Sequence, residues 1–284
     1  MKLPGTHEFT KDEIRNQISM LKERGWIELT KNRSGRDGGL GNSLEDYLQI
    51  KENNLPIADL GIYELKTHRK SSGSLISLFR QEPGPGARDK ILPYLIENYG
   101  WDISKCPLKI KTNICMHDPN GTLDRCYPPG EKSLRVDMDG KDYAERGFKI
   151  EINRELRRII IHFDYTRVAQ EHHDWLEGIK AKVGLGDLDP KCHWTFESIE
   201  KKTSKKLRNM LYMKIDERKE DGKEFLKIGD CLFLEKFNFE RFLTAIEKGE
   251  VQIEFSARTH HNHGTAFRTW ERFWPSIYDH TEPL

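Results

Sequence analysis

The chain has 284 residues, 33% of them charged and 36% hydrophobic, with a formal net charge of +1. That length supports one large domain or two modest ones around a sizeable core, and no apolar run approaches the roughly 18 residues of a membrane-spanning helix. A near-neutral balance does not decide for or against a polyanionic partner, because basic groups lining one cleft suffice.

The opening stretch, MKLPGTHEFTKDE, lacks the apolar core of a signal peptide. Five cysteines, an odd number in a chain this long, fit a reducing cytoplasm better than a disulfide scaffold. Residues 10–29 predict an amphipathic helix: Thr10 and Glu13 have capping-box spacing, Ile14, Ile18 and Leu21 form one stripe, and Gly25 ends it. A glycine-rich loop, KNRSGRDGGLGN, precedes a short helix, NSLEDYLQI, with Asn42 as its expected N-cap. ADLGIYELKT reads as a strand or hairpin arm, PGPGARDK as a turn-rich break and ILPYLIENYG as a helix. Short strands with turns at HDPNGT, PPGEK and DMDGKDY follow, including the β-branched run RRIIIHFDY. Residues 168–181 look helical, and KKTSKKLRNM reads as a basic loop or helix surface. FNFERFLTAIEKGE is a helix with a glycine stop, leading into the alternating strand that opens VQIEFSARTHHNHGTAFR. There is no internal repeat, and the mixture predicts an α+β or mixed α/β fold.

One strand carries the wrong residues for a plain core. In DLGIYELKTHRK, alternate side chains share a face, so Glu64 and Lys66 project together, roughly 6–7 Å apart. Tyr63 and Leu65 project the other way, and Asp59 precedes a glycine bend that swings it towards Glu64. Two hard oxygen ligands beside one ammonium suit a magnesium ion that polarises a phosphodiester, with Lys66 orienting the nucleophile and offsetting charge in the transition state. The pattern alone is weak. Glu200-Lys201-Lys202, Glu217-Arg218-Lys219, Asp139-Gly140-Lys141 and Asp221-Gly222-Lys223 imitate it in polar surroundings, and an exposed edge strand with a Glu–Lys pair explains it without chemistry. Glu45 has a bland reading as well, since Asn42 and Glu45 share capping-box spacing.

The C-terminal block SARTHHNHGTAFR gathers Arg258, His260, His261, His263 and Arg268. His261 and His263 share a strand face and suit a metal, while a solvated polar hairpin accounts for the same residues. Cys106, Cys115, His117 and Cys126 lack the tight spacing of a zinc knuckle and read as ordinary thiols and a histidine. KKTSKKLR, from Lys201 to Arg208, is either a phosphate contact or a solvated basic face.

Three ordered blocks, GLGNSLEDYLQI, ADLGIYELKTHRKSSGSLISLF and ARTHHNHGTAFR, resemble the MvaI/BcnI group of type II restriction endonucleases, relatives of the mismatch-repair nicking enzyme MutH within the PD-(D/E)-x-K nuclease superfamily. The resemblance is near both ends of the chain and leaves about residues 110–240 unmatched. The proline that the superfamily name places directly before the aspartate is displaced to Pro56. The resemblance implies a MutH-like nuclease core in a monomer whose two lobes grip duplex DNA. The catalytic lobe is expected at 1–165 and the recognition lobe at 166–284. It implies sequence-specific cleavage giving 5′-phosphate and 3′-hydroxyl ends, or MutH-like nicking, in a cytoplasmic protein whose system partner is a cognate DNA methyltransferase that it does not bind. Asp59 and Glu64, with the carbonyl of Leu65, would hold one or two Mg2+ ions, for which Mn2+ substitutes. Lys66 would be the catalytic lysine and Glu45 the supporting helical glutamate. DNA contacts are expected from His68, Arg69 and Lys70 and from Arg258, His260, His261, Asn262, His263, Thr265 and Arg268. Arginine pairs bidentately with guanine, and Gly264 and Thr265 suit a turn approaching the backbone.

Overall fold

The computed structural model describes residues 9–29, 39–48, 62–84, 91–102, 132–259 and 264–284. Asp59, the glycine-rich run before Gly39, the cysteines at 106, 115 and 126, and His260, His261, Asn262 and His263 lie outside them. The chain forms two compact units, one from Met1–Ile76, Glu200–Arg241 and Trp270–Leu284, the other from Ser77–Ile199 and Phe242–Thr269.

The first unit begins with α1 (Lys11–Glu23), where the expected capping box closes. The Thr10 hydroxyl accepts from the Glu13 N–H at 3.3 Å, and the Glu13 carboxylate accepts from the Thr10 N–H at 2.7 Å. Gly25, at φ +70°, ends the helix in the left-handed region that glycine enters without cost. After β1 (Ile27–Glu28) comes α2 (Gly39–Tyr47), which starts upstream of the expected position. Asn42 therefore sits inside the helix and is not its N-cap, and the capping-box account of Glu45 falls. Burial outweighs glycine's poor helix propensity here, because Leu44 and Leu48 are locked into the core.

The sheet of this unit runs β1–β10–β9–β2, from β2 (Glu64–Arg69), β9 (Asn209–Glu220) and β10 (Lys223–Phe237), with β13 (Tyr278–Pro283) also paired to β10. The β2–β9 pair is parallel and the others antiparallel. Asp221 and Gly222 make the β9–β10 turn, both at positive φ, as a two-residue hairpin turn of the primed type requires. Ile14, Ile18 and Leu21 of α1 and Leu44 of α2, with Leu48 just beyond, cover one sheet face, against Tyr63, Leu65, Leu211, Met213, Ile215 and Phe233.

The second unit holds a five-stranded sheet in the order β3–β12–β11–β5–β4, from β3 (Ile76–Arg80), β4 (Trp101–Asp102), β5 (Lys132–Met138), β11 (Val251–Arg258) and β12 (Ala266–Thr269). An antiparallel sheet, β6–β7–β8, joins β6 (Arg146–Asn153), β7 (Arg158–Val168) and β8 (Cys192–Thr195). β7 contains the β-branched run predicted as a strand, with Ile159, Ile160 and Ile161 all buried. The predicted helices appear as α3 (Leu92–Tyr99), α4 (His173–Val183, behind a 3-10 turn at Gln170–His172) and α6 (Phe239–Glu247). The basic run 201–206 belongs to α5 (Phe196–Lys206). The single boundary expected at 165/166 falls inside β7, and the chain passes between units at 76/77, 199/200, 241/242 and 269/270. Among the described residues, no helix is long and apolar enough to cross a membrane.

Candidate functional site

β2 sorts its side chains as its alternation requires. Tyr63, just before it, and Leu65 are buried in the core, and Glu64, Lys66 and His68 share the opposite face, each half-buried. The Tyr63 hydroxyl donates to the Glu235 carboxylate, and burial, reinforced by Glu235, pushes the phenol up to about 12. The strand carrying Glu64 and Lys66 is thus anchored from behind.

The parallel register with β9 sets the neighbours of the polar face: Met210 beside Glu64, Tyr212 beside Lys66 and Lys214 beside His68. Tyr212 meets the edge of Trp274 at 5.0 Å, and burial, with Glu271 adding to it, raises its hydroxyl well above the ordinary value. Lys214 donates to Glu271 at 2.6 Å, a bond that raises the ammonium's pKa and keeps it charged. The Glu64 side chain is only 14% exposed, and its Oε1 receives the ammonium of Lys206, from the last turn of α5, at 2.9 Å. Both ring nitrogens of His68 are buried and bond to no described residue.

Glu45 follows the buried Leu44 on α2 and is half-buried. Arg69 and Lys70, expected to touch DNA, are ion-paired along β9, Arg69 to Glu217 at 2.7 Å and Lys70 to Asp216 at 3.5 Å. Exposed pairs of this kind contribute about 0–1 kcal/mol, so a phosphate can compete for either cation.

The C-terminal block lies in the second unit. Arg258 ends β11, opposite Ser133, and Arg268 lies on β12. Between the two strands, Gly264 takes φ +83°. Thr265 is buried, its N–H donating to Glu82 at 3.1 Å and its hydroxyl to the other oxygen of Glu82 at 2.6 Å. That clamp fixes the backbone entering β12. Arg268 donates to one oxygen of Glu254 and Arg135 of β5 to the other, both at 2.7 Å, with the Glu254 side chain 10% exposed. Sequence motifs single out neither Glu254 nor Arg135, and they place Lys206 only within a basic run, not beside Glu64. A legible signal existed for Glu254 alone, a carboxylate at an interior position of a strand whose next residue, Phe255, is buried.

Among the described residues, the group of three close potential metal ligands is Glu145, Glu171 and His172 in the second unit. Its carboxylates are exposed, and burial, then the nearby Arg146 charge, lower the pKa of His172.

The profile of the MvaI/BcnI restriction endonuclease family matches residues 15–278. Two solved structures share the fold over nearly the whole chain. A complex of restriction endonuclease MvaI with cognate DNA aligns with a TM-score of 0.67 at 18% identity, covering 97% of this chain and 99% of that one. The same enzyme without DNA aligns with a TM-score of 0.52 at 19% identity, covering 98% and 100%. No curated protein sequence matches. The mixed α/β architecture is thus restriction-endonuclease-like, as the three sequence blocks implied.

Proposed function

The chain belongs to the MvaI/BcnI restriction endonuclease family and is a site-specific nuclease acting on DNA, and from that premise we propose that the polar face of β2 is where it cuts. The observation that carries the reading is the projection of Glu64 and Lys66 from one face of a strand whose other face is held in the core. The alternative, an exposed edge strand with a Glu–Lys pair, does not suit a carboxylate side chain that is only 14% exposed.

The family implies a divalent metal. Glu64 fits one, as a hard oxygen donor already in a cation-binding setting. Glu64, Asp59 and the Leu65 carbonyl would hold magnesium, whose charge would polarise the phosphodiester and favour the ionised nucleophile. Lys66 stands two residues along the same face and orients the attacking water while balancing charge that builds on the phosphate. The water oxygen bonds to phosphorus, the P–O3′ bond breaks, the 3′ oxygen gains a proton and the water loses one. The ends are a 5′-phosphate and a 3′-hydroxyl. His68, next on the face, is the group we assign to the phosphate beyond the cut, and Glu45 supports the site from α2.

Recognition of duplex DNA is assigned to the block from Arg258 to Arg268, including His260, His261, Asn262 and His263, with the guanidinium of Arg268 oriented by Glu254. We further propose a monomer, with a cognate methyltransferase protecting host DNA.

The test is digestion of unmethylated phage and plasmid DNA in magnesium and in EDTA, beside Lys66→Ala, with product ends sequenced. Discrete magnesium-dependent fragments absent in the variant are expected. Cleavage by the variant at the wild-type rate would remove Lys66 from the chemistry, and nicks in place of double-strand breaks would indicate MutH-like action.

A further inference from the structure

We propose that Lys206 is a displaceable counter-ion for the metal-binding carboxylate: it neutralises Glu64 in the metal-free enzyme and yields that carboxylate when the metal enters. The proposal rests on the reading of Glu64 as a metal ligand.

Lys206 closes the basic run of α5. Lys201, Lys202 and Lys205 of that run are exposed, whereas Lys206 is half-buried with its Nζ 2.9 Å from Glu64 Oε1. The two side chains differ in exposure, 38% for Lys206 and 14% for Glu64, so the carboxylate is enclosed and the lysine reaches it from the more open side. An enclosed carboxylate without a cation is costly, and Lys206 removes that cost while no metal is present. The residue type makes the arrangement reversible. An ammonium is a point charge on a flexible stem, without the planar fork that locks arginine to a carboxylate. A divalent ion brings twice the charge to the same oxygens and prevails.

The arrangement has a consequence for DNA. A bare Glu64 repels an approaching phosphate, and Lys206 cancels that charge until a metal takes over the task. Loss of the lysine therefore works in opposite directions on the two ligands. Metal binding tightens, because no ammonium has to leave, and DNA binding without metal weakens.

The experiment uses the full-length enzyme with Lys206→Met, Lys206→Arg and Glu64→Gln. Mn2+ affinity is measured by calorimetry without DNA, and binding of a duplex carrying the site read from the digest is measured in EDTA and in Ca2+. Lys206→Met is expected to bind Mn2+ about threefold to tenfold tighter, the size of a partly enclosed ion pair. It is expected to lose a similar factor in DNA affinity in EDTA, a loss that Ca2+ restores. Lys206→Arg keeps the charge and is expected to bind DNA in EDTA as the wild type does and Mn2+ no more tightly. If Lys206→Met melts early, Lys206→Gln carries the same expectations. Unchanged or weaker Mn2+ binding in the variant, or a DNA deficit equal in EDTA and Ca2+, overturns the proposal. Glu64→Gln separates the two failures. If it still binds Mn2+ like the wild type, the reading of Glu64 as a ligand is what fails.

Discussion

Glu64 and Glu254 are enclosed carboxylates on strands of different units, and their partners differ in kind. Glu64 receives the ammonium of Lys206 at 2.9 Å on one oxygen, whereas Glu254 is held by two guanidiniums at 2.7 Å, one on each oxygen. A flexible point charge can leave, and a pair of arginines bridged across β5, β11 and β12 cannot leave without breaking both bonds. The contrast separates a carboxylate that can exchange its partner from one that holds a surface in place. It also explains why charge alone in a strand is a poor guide to chemistry.

The largest effect is expected from Lys66→Ala, which should lower the cleavage rate about 100- to 1000-fold while duplex binding persists, measured by single-turnover digestion. Glu254→Gln should do the reverse. It should leave Mn2+ binding intact but cost about 2 kcal/mol of stability in urea unfolding, because both arginines lose a charged acceptor. A fully stable Glu254→Gln protein would mean that the clamp holds nothing. Arg69→Ala breaks an exposed pair with Glu217, so its stability change should stay under about 1 kcal/mol. If Arg69 reaches a phosphate, the slope of log affinity against log salt should also fall by about 1. The smallest effect concerns His172, whose pKa burial and then Arg146 hold below 6.5. The unfolded chain takes up that proton first, so the contribution of His172 to stability is present above pH 6.5 and is lost as pH falls through the folded-state value. His172→Gln should flatten that part of the stability–pH curve, and an unchanged curve would assign the acid sensitivity elsewhere.

Local signals carried much of this architecture. The Thr10–Glu13 box, the Ile159–Ile161 run and the alternation of Tyr63, Glu64, Leu65 and Lys66 each report a short-range rule, and the fold obeys them. The start of α2 escaped because Asn42 and Glu45 satisfy a cap pattern while burial of Leu44 and Leu48 fixes the helix further upstream. The β9–β10 hairpin had a local signal, the turn dipeptide Asp221-Gly222, which stood among the polar imitations of the catalytic motif. The carboxylate partners of Lys206 and Arg135 were illegible for a different reason. Each cation meets its carboxylate from more than 100 positions away in sequence, a distance no local pattern spans. Thr265, expected at a DNA backbone, donates its N–H and hydroxyl to Glu82, a partner 183 positions away that no local pattern announces.

The most direct test of the central claim is anomalous diffraction from crystals of Lys66→Ala with its DNA site and Mn2+. The account predicts a peak within about 2.2 Å of a Glu64 carboxylate oxygen, with the Lys206 ammonium withdrawn from that oxygen. A peak at Glu145, Glu171 and His172, with none at Glu64 and the Lys206 contact intact, would contradict it.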